Sequence, residues 1–266
     1  DNVYDAAIRR AGMLRVDSLE DLFLAAELLT RYQAPIGEVM TVLTNGGGAG
    51  VLAADAASRY EVPLAALQPD LLKALDAVLP ANWSHGNPVD IIGDAPAPRY
   101  VDALRALAAH PEQTGTILFI QAPTAIVPSS DIADALVPVI QPPGGTPLPV
   151  ISCWIGGPAV AEARKRFVGA GIASFDMPEQ AVQAIGMLQG YARNQAELAE
   201  APPAIQVQGG APPDTARVRE IVEAVLAENR ELLTEPEAKD VFAAYRIPVA
   251  ATRTVGADAE AAADEA

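Results

Sequence analysis

The stretch from Thr41 to Tyr60 constrains the fold of this chain most, because its hydrophobic periodicity changes within a single turn. An apolar, β-branched run ends at Thr44 and Asn45, four glycines follow, and apolar residues then recur with helical spacing, as TVLTNGGGAGVLAADAASRY. This pattern predicts a strand, a tight turn and a helix that begins at about Val51. Units of this kind build the parallel sheets of α/β proteins.

The glycine turn itself is predicted to hold an anion or ordered water. Glycine is needed where φ is positive or where the backbone must approach a ligand, and the first N–H groups of a helix form a ready anion site. The turn lacks the Gly-Lys-Ser/Thr of a P-loop and the full Gly-x-Gly-x-x-Gly spacing of a dinucleotide-binding loop. The alternative to an anion site is a plain glycine turn between a strand and a helix. The predicted phosphate-binding residues are Asn45, Gly46, Gly47, Gly48 and Gly50.

Strands and helices alternate downstream of the turn. Strands are predicted at 39–44, 89–92, 116–121, 149–154 and 172–175, and helices at 51–60, 69–79, 98–109, 131–140, 158–170 and 178–194. Five nearly continuous apolar strands separated by helices predict an α/β fold, a flavodoxin-like doubly wound five-stranded parallel sheet. Upstream, we expect helices at 2–11 and 19–30, with Ser18 as an N-cap, and a brief strand at 13–16.

Glycine and polar residues cluster around the ends of four predicted strands. Ligands bind at the carboxyl ends of the strands in doubly wound sheets, so these residues predict one shared crevice. The crevice-lining residues are expected to be Asn87, Asp90, Gly93, Asp94, Gln121, Trp154, Gly156 and Gly157.

Two other kinds of site are weighed and set aside. Ser84, His85 and Asp90 suggest a hydrolase, but the Gly-x-Ser-x-Gly elbow is absent and adjacent serine and histidine side chains do not easily take the nucleophile–base geometry. His110 is expected to cap the C-terminus of a helix. Two separated histidines and one cysteine form no metal-ligand cluster, so no metal ligand is predicted.

The charge balance limits the expected partners. The 18 basic and 34 acidic residues give a net charge of -16, which disfavours nucleic acid and anionic membranes. No apolar run approaches the ~20 residues of a membrane span. The one cysteine, Cys153, is expected to be a buried thiol in a reducing cytoplasm, and a reactive thiol is the alternative.

The C-terminal part is expected to lie outside the sheet domain. Prolines and glycines predict a linker at 196–213. Asp214 is expected to cap a helix that runs to about 228, followed by a helix at 233–245, a strand at 247–252 and the start of a further helix.

Four segments, in this order and spacing, resemble the NDP-forming acyl-CoA synthetases, relatives of succinyl-CoA synthetase: TNGGGAGVLAADA, NWSHGNPVDIIGDA, PVISCWIGG and LLTEPEAKDVFAAYRIPVAAT. The resemblance covers nearly the whole chain. It implies that residues 1–33 are the C-terminal tail of a phosphohistidine-bearing ligase domain, that 34–195 form a second, flavodoxin-like ligase-CoA domain, and that 214–266 open an ATP-grasp domain. The triple glycine and WSHGNPVDIIGDA resemble most closely the members fused to a GNAT acetyltransferase.

The resemblance implies an acid–thiol ligase that interconverts acyl-CoA, ADP and phosphate with a carboxylic acid, CoA and ATP. The phosphohistidine is implied to lie upstream of Asp1, so no catalytic residue is expected in this chain, which is expected to be inactive alone. CoA or acyl-CoA and ADP or ATP with magnesium are implied for the full-length protein. The implied partners are other domains of the polypeptide, small-molecule substrates and a second copy of the chain. The alternative is an acyl-CoA-sensing regulatory module of a lysine acetyltransferase.

Overall fold

Five parallel strands form the sheet that the sequence predicts. They are β1 (Met40–Thr44), β2 (Val89–Asp90), β3 (Thr116–Gln121), β4 (Val150–Trp154) and β5 (Ser174–Phe175), in the spatial order β2-β1-β3-β4-β5. The computed structural model that contains them describes residues 2–32, 34, 36–199 and 212–250. All neighbouring strands pair in parallel, which confirms the doubly wound fold. The chain order changes direction between β1 and β3.

Helices cover both faces of this sheet within the unit Asp1–Ala201. They are α1 (Asn2–Arg10), α2 (Leu19–Arg31), α3 (Gly47–Arg59), α4 (Pro69–Asp76), α5 (Ala97–Ala108), α6 (Pro111–Thr114), α7 (Ser129–Ile140), α8 (Ala161–Gly169) and α9 (Pro178–Ala199). One hydrophobic core lies between the sheet and α4, α5, α7 and α8. The other lies between the sheet and α2, α3 and α9. Because both faces are covered, β1, β3 and β4 are buried along their whole length.

Local sequence explains several element boundaries. The Ser18 Oγ accepts a hydrogen bond from Asp21 N at 3.0 Å, which confirms the predicted N-cap of α2. Proline in the first turn of α4, α5 and α6 fits the helix geometry, since its missing N–H is not needed there. Gly115, before β3, has a φ of 62°, and a Cβ there would lie 2.2 Å from Val39 O. Glycine is therefore required at this turn.

The N-terminal helices pack against α9. The Gln183 amide donates to Asp21 Oδ1 at 2.7 Å, and the Asn194 amide donates to Met13 O at 2.7 Å. Residues 2–32 thus belong to the same compact unit as the sheet. Their assignment to the tail of a neighbouring domain stays a prediction.

Two helices form the described part of the unit Pro202–Ala266. They are α10 (Thr215–Ala227) and α11 (Glu235–Ala244). The Asp214 carboxylate accepts a hydrogen bond from Arg217 N at 3.0 Å, which confirms the predicted cap of α10. Thr234 and Glu237 form a capping box at the start of α11.

Some predicted boundaries are wrong. Residues 13–16 form no strand, and among 247–250 no strand is present either. The second strand ends at Asp90 rather than at 92, because Ile92 has a φ of 69°, which no extended strand accommodates. The last helix of the sheet unit continues to Ala199, into the predicted linker. Residues 200–211 of that linker, and the chain beyond 250, lie outside the described residues.

Two predicted helices also differ from the structure. The helix expected at 158–170 opens as a 3-10 turn over Gly157–Val160 before α8 begins, and the helix expected at 69–79 ends at Asp76. Among the described residues, no helix combines the length and hydropathy needed to cross a membrane.

Candidate functional site

The carboxyl ends of β1 and β3 are joined by the side chain of Asn45. Its Nδ2 donates to Ala122 O at 2.9 Å and its Oδ1 accepts from Ala122 N at 2.9 Å. Asn45 is almost fully buried, so this amide fixes the floor of the crevice. The contact lies where the strand order changes direction, which is the place where ligands bind in doubly wound sheets.

The glycine turn is the start of α3 and not a loop before it. The helix begins at Gly47 instead of near Val51, with Gly46 as its N-cap at a φ of -137°. No glycine of the turn has a positive φ. The prediction that these glycines are needed for a left-handed backbone conformation is therefore wrong. Close packing is the reason at position 47, where a Cβ would lie 2.9 Å from Asp90 Oδ2. At Gly48 a Cβ would meet nothing within 4 Å, so the backbone there is open.

Three N–H groups at the start of α3 are available to a ligand. Gly46 N donates to Thr44 Oγ1 at 3.0 Å and Gly50 N donates to Gly46 O at 3.1 Å, so these two groups are occupied, contrary to the sequence prediction. Within the described residues, no hydrogen bond takes the N–H groups at positions 47, 48 and 49. These are the first N–H groups of the helix, at the positive end of its dipole.

The β2 side of the crevice carries Asp90, Gly93 and Asp94. The Asp90 carboxylate accepts a hydrogen bond from Ile92 N at 2.9 Å through Oδ1, and its Oδ2 faces Gly47. Asp94 is held by the Arg99 guanidinium at 2.6 Å, and the same Nη1 donates to Ile91 O at 3.1 Å. Two carboxylates and one arginine therefore line this side.

The β4 side is closed by Gly156 and Gly157, which have positive φ values of 128° and 55°. A Cβ on Gly156 would lie 2.8 Å from Pro123 Cγ, so glycine allows the end of β4 to pack against the end of β3. At Gly157 a Cβ would meet nothing within 4 Å. These glycines thus lie at the same edge of the sheet as Asn45 and Gly47.

Three residues that the sequence predicts in the crevice have their side chains elsewhere. The Asn87 amide holds the edge of β1, accepting from Val42 N and donating to Met40 O, both at 2.9 Å. Gln121 is buried and donates to Ala122 O at 3.1 Å. Trp154 is completely buried and packs edge-on against Phe119, with ring centroids 5.3 Å apart. These three side chains therefore do not line the crevice.

Arg99 is a crevice residue that the predicted set did not include. It lies in the first turn of α5, where acidic residues are favoured over basic ones by the helix dipole. An arginine at this unfavourable position indicates that it pairs with a specific acidic residue. In the structure that residue is Asp94.

Ser84, His85 and His110 do not form a reactive centre. Ser84 Oγ donates to Pro88 O at 2.6 Å, whereas His85 Nδ1 lies 3.0 Å from Asp76 Oδ1, so the two are not a nucleophile–base pair. His110 Nδ1 lies 3.0 Å from Ala106 O in the last turn of α5, as the cap prediction requires. In the described ranges, no group of three or more His, Cys, Asp or Glu is placed to hold a metal ion.

Comparisons with known proteins agree with this architecture. The Ligase-CoA domain family matches residues 40–199. The chain is 36% identical over 190 residues to the acetate–CoA ligase [ADP-forming] I of Archaeoglobus fulgidus, an alignment that covers 71% of this chain and 26% of that protein. It is 31% identical over 201 residues to the alpha subunit of acetate–CoA ligase [ADP-forming] I of Pyrococcus furiosus, covering 75% of this chain and 43% of the subunit.

A solved structure shows the same fold. It is the dinucleotide forming acetyl-coenzyme A synthetase 1 of Ca. Korarchaeum cryptofilum in complex with phosphate and ADP, with a TM-score of 0.66 at 31% identity. The superposition covers 74% of this chain and 42% of that one. This chain therefore spans less than half the length of each of these relatives.

Proposed function

Because this chain belongs to the Ligase-CoA domain family, we propose that it is part of an ADP-forming acyl-CoA synthetase. Such an acid–thiol ligase interconverts acyl-CoA, ADP and phosphate with the free acid, CoA and ATP. The relatives named above are ADP-forming acetate–CoA ligases. Since the chain spans only part of their length, the reaction needs further domains, and the chain alone is expected to be inactive.

In this proposal the start of α3 holds the phosphoryl group. The observation that supports it most is the set of open N–H groups at positions 47–49, at the change of strand order. Backbone N–H groups stabilise phosphate charge without offering a nucleophile that could compete for the phosphoryl group. The helix dipole adds roughly 0.3–2 kcal/mol to these hydrogen bonds. Gly48 and Gly157, where a Cβ would meet nothing within 4 Å, leave room in the crevice for a phosphohistidine or a free phosphate.

The finer assignments rest on the sequence resemblance. They are the division into 1–33, 34–195, 196–213 and 214–266, the ATP-grasp identity of the last part, and the use of magnesium with ADP or ATP. A fusion to a GNAT acetyltransferase and the self-association of the chain are further assignments of this kind. No feature of the crevice favours the acyl-CoA-sensing alternative over the ligase.

The proposal is tested by Gly47→Val in the complete gene product. A Cβ at position 47 would lie 2.9 Å from Asp90 Oδ2. We expect a branched side chain there to obstruct the approach of phosphate to the open N–H groups, so ATP formation from acetyl-CoA, phosphate and ADP should fall about 10²-fold or more, as for loss of preorganised donors. Gly190→Ala, in α9, is the matched control because a Cβ there meets nothing within 4 Å. Unchanged turnover in a folded Gly47→Val protein would show that the turn holds no phosphoryl group.

A further inference from the structure

The carboxylate of Asp90 lies beside Gly47, the first residue of α3 and one of the three positions with an open N–H group. A Cβ on Gly47 would be 2.9 Å from Asp90 Oδ2, whereas Asp90 Oδ1 is fixed by the N–H of Ile92 at 2.9 Å. Among the described residues, Oδ2 has no hydrogen-bond partner, and the side chain is only half-buried. A carboxylate oxygen with free acceptor capacity therefore lies next to Gly47, at the edge of the proposed phosphoryl site.

No described cation neutralises this carboxylate. Arg99, the basic residue of the crevice, has its Nη1 bonded to Asp94 and to Ile91 O. No described cluster of acidic or histidine side chains is placed to hold a bridging metal ion. An anion at positions 47–49 thus meets donors from the helix on one side and a negative charge on the other.

This arrangement treats protonated and unprotonated anions differently. A carboxylate only accepts hydrogen bonds, and a second anion next to it is repelled unless one of the two carries a proton that they share. Inorganic phosphate at neutral pH carries at least one O–H group that can donate to Oδ2. Sulfate has the same shape but carries no hydrogen at neutral pH, so it is only repelled.

We infer that Asp90 makes the start of α3 selective for an anion that carries a hydrogen-bond donor, with inorganic phosphate as the fitting ligand. This inference rests on the proposed phosphate-binding role of the same turn. Asp90 is then a specificity-determining residue: its Oδ2 accepts the phosphate O–H while the N–H groups of Gly47, Gly48 and Ala49 bind the other oxygens.

The test compares phosphate with sulfate on the same protein. Amide chemical shifts of residues 46–49 are followed by NMR at pH 7 while either anion is added at constant ionic strength. Wild type should bind phosphate at least about tenfold more tightly than sulfate, the ratio that corresponds to about 1.4 kcal/mol. Asp90→Asn keeps an acceptor for Ile92 N and the side-chain size but removes the charge. It should bind sulfate more tightly and bring the two affinities within about threefold of each other.

Two further variants make the result specific. Asp55→Asn removes the same charge from an exposed position two turns further along α3, so it should keep the preference for phosphate. Asp90→Ser provides a second uncharged acceptor for Ile92 N, should the asparagine variant fold poorly.

The outcomes separate the two proposals. Equal binding of both anions by wild type, or a phosphate preference that survives in Asp90→Asn and Asp90→Ser, would overturn the selectivity while leaving the phosphate site intact. If these variants bind both anions more weakly and by the same factor, Asp90 acts only through its hydrogen bond with Ile92 N. If neither anion moves the amide signals in any variant, the phosphate-binding role of the turn is itself wrong.

Discussion

At the scale of single residues, Cys153 shows how burial controls chemistry in this protein. The thiol is completely buried in β4. Burial first, and then the nearby carboxylates of Asp176 and Glu179, raise its pKa to about 12 against a smaller lowering by Arg164. The thiolate is the reactive form of cysteine, so a raised pKa removes reactivity as well as access. Cys153 is thus a structural residue, in agreement with the sequence prediction.

We predict that native Cys153 resists alkylation. With a pKa of about 12, about one thiol in 10⁴ is ionised at pH 8, so iodoacetamide should label the folded protein far more slowly than a free thiol. The labelling rate should rise with pH. The control is the same protein in denaturant, where labelling should be complete, and rapid stoichiometric labelling of the folded protein at pH 8 would contradict the prediction.

Two asparagines that the sequence predicts in the crevice illustrate a second point at this scale. Asn45 and Asn87 carry the residue type expected of ligand-binding positions, yet both amides bind backbone groups of β1 or its neighbours. The partner of Asn45, Ala122, is 77 residues away in the sequence. Local sequence contains no information about such a pairing, and for this reason the crevice was predicted in position but not in detail.

At the scale of elements, the packing of α9 against α3 and the turn that follows it depends on small residues. Gly186 in α9 would place a Cβ 3.2 Å from Val62 Cγ2 and 3.5 Å from Tyr60 O, whereas Gly190, one turn later, would meet nothing within 4 Å. The two glycines therefore have different reasons for their presence.

We predict different outcomes for alanine at these two positions. Gly190→Ala should raise the free energy of unfolding by about 0.5–1 kcal/mol, because alanine loses less backbone entropy in a helix. Gly186→Ala has the same entropic advantage, but its Cβ must displace Val62. Its free energy of unfolding should therefore rise by less, or fall. Urea denaturation of both variants measures the difference, and equal stabilisation by the two would refute the packing argument.

The capping box of α11 provides a pH-dependent prediction. Hydrogen bonds from Arg230, and then from the N–H and hydroxyl of Thr234, lower the pKa of Glu237 from 4.5 to about 2. A carboxyl with a lowered folded pKa stabilises the folded state above its unfolded pKa, and the effect is lost as the pH falls from about 4.5 toward 2. The start of α11 should therefore loosen in that range.

The Glu237 titration can be measured directly. Its ¹³C carboxyl shift should have a midpoint of about 2, and Arg230→Ala should move that midpoint upward because the strongest hydrogen bonds are lost. Arg217→Ala is the control, since Arg217 pairs with Glu220 and Asp240 instead. An ordinary midpoint in the unmodified protein would contradict the arrangement.

Element boundaries show how far the sequence predicts the fold. All five strands lie within the predicted ranges because apolar runs end at glycine and proline, and β3 matches at both ends. The start of α3 was placed four residues too late, since glycines have low helix propensity and were assigned to a turn. The short α6 was missed because four residues carry no periodicity.

At the largest scale, the strand order β2-β1-β3-β4-β5 brings the predicted ligand-binding residues to one edge of the sheet. The open N–H groups of α3, the half-buried Asp90 and the two positive-φ glycines after β4 all lie at carboxyl strand ends. The sequence predicts this gathering from the alternation of strands and helices, whereas the strand order itself follows from long-range packing. The proposed phosphate site depends on that order.

The most direct measurement is the position of phosphate in crystals of the protein grown or soaked with inorganic phosphate. We expect density for one phosphate within about 2.7–3.2 Å of the N atoms of Gly47, Gly48 and Ala49, and no such density in Gly47→Val crystals. Phosphate bound elsewhere in the unit, or free N–H groups at these positions under saturating phosphate, would show that the start of α3 is not a phosphate site.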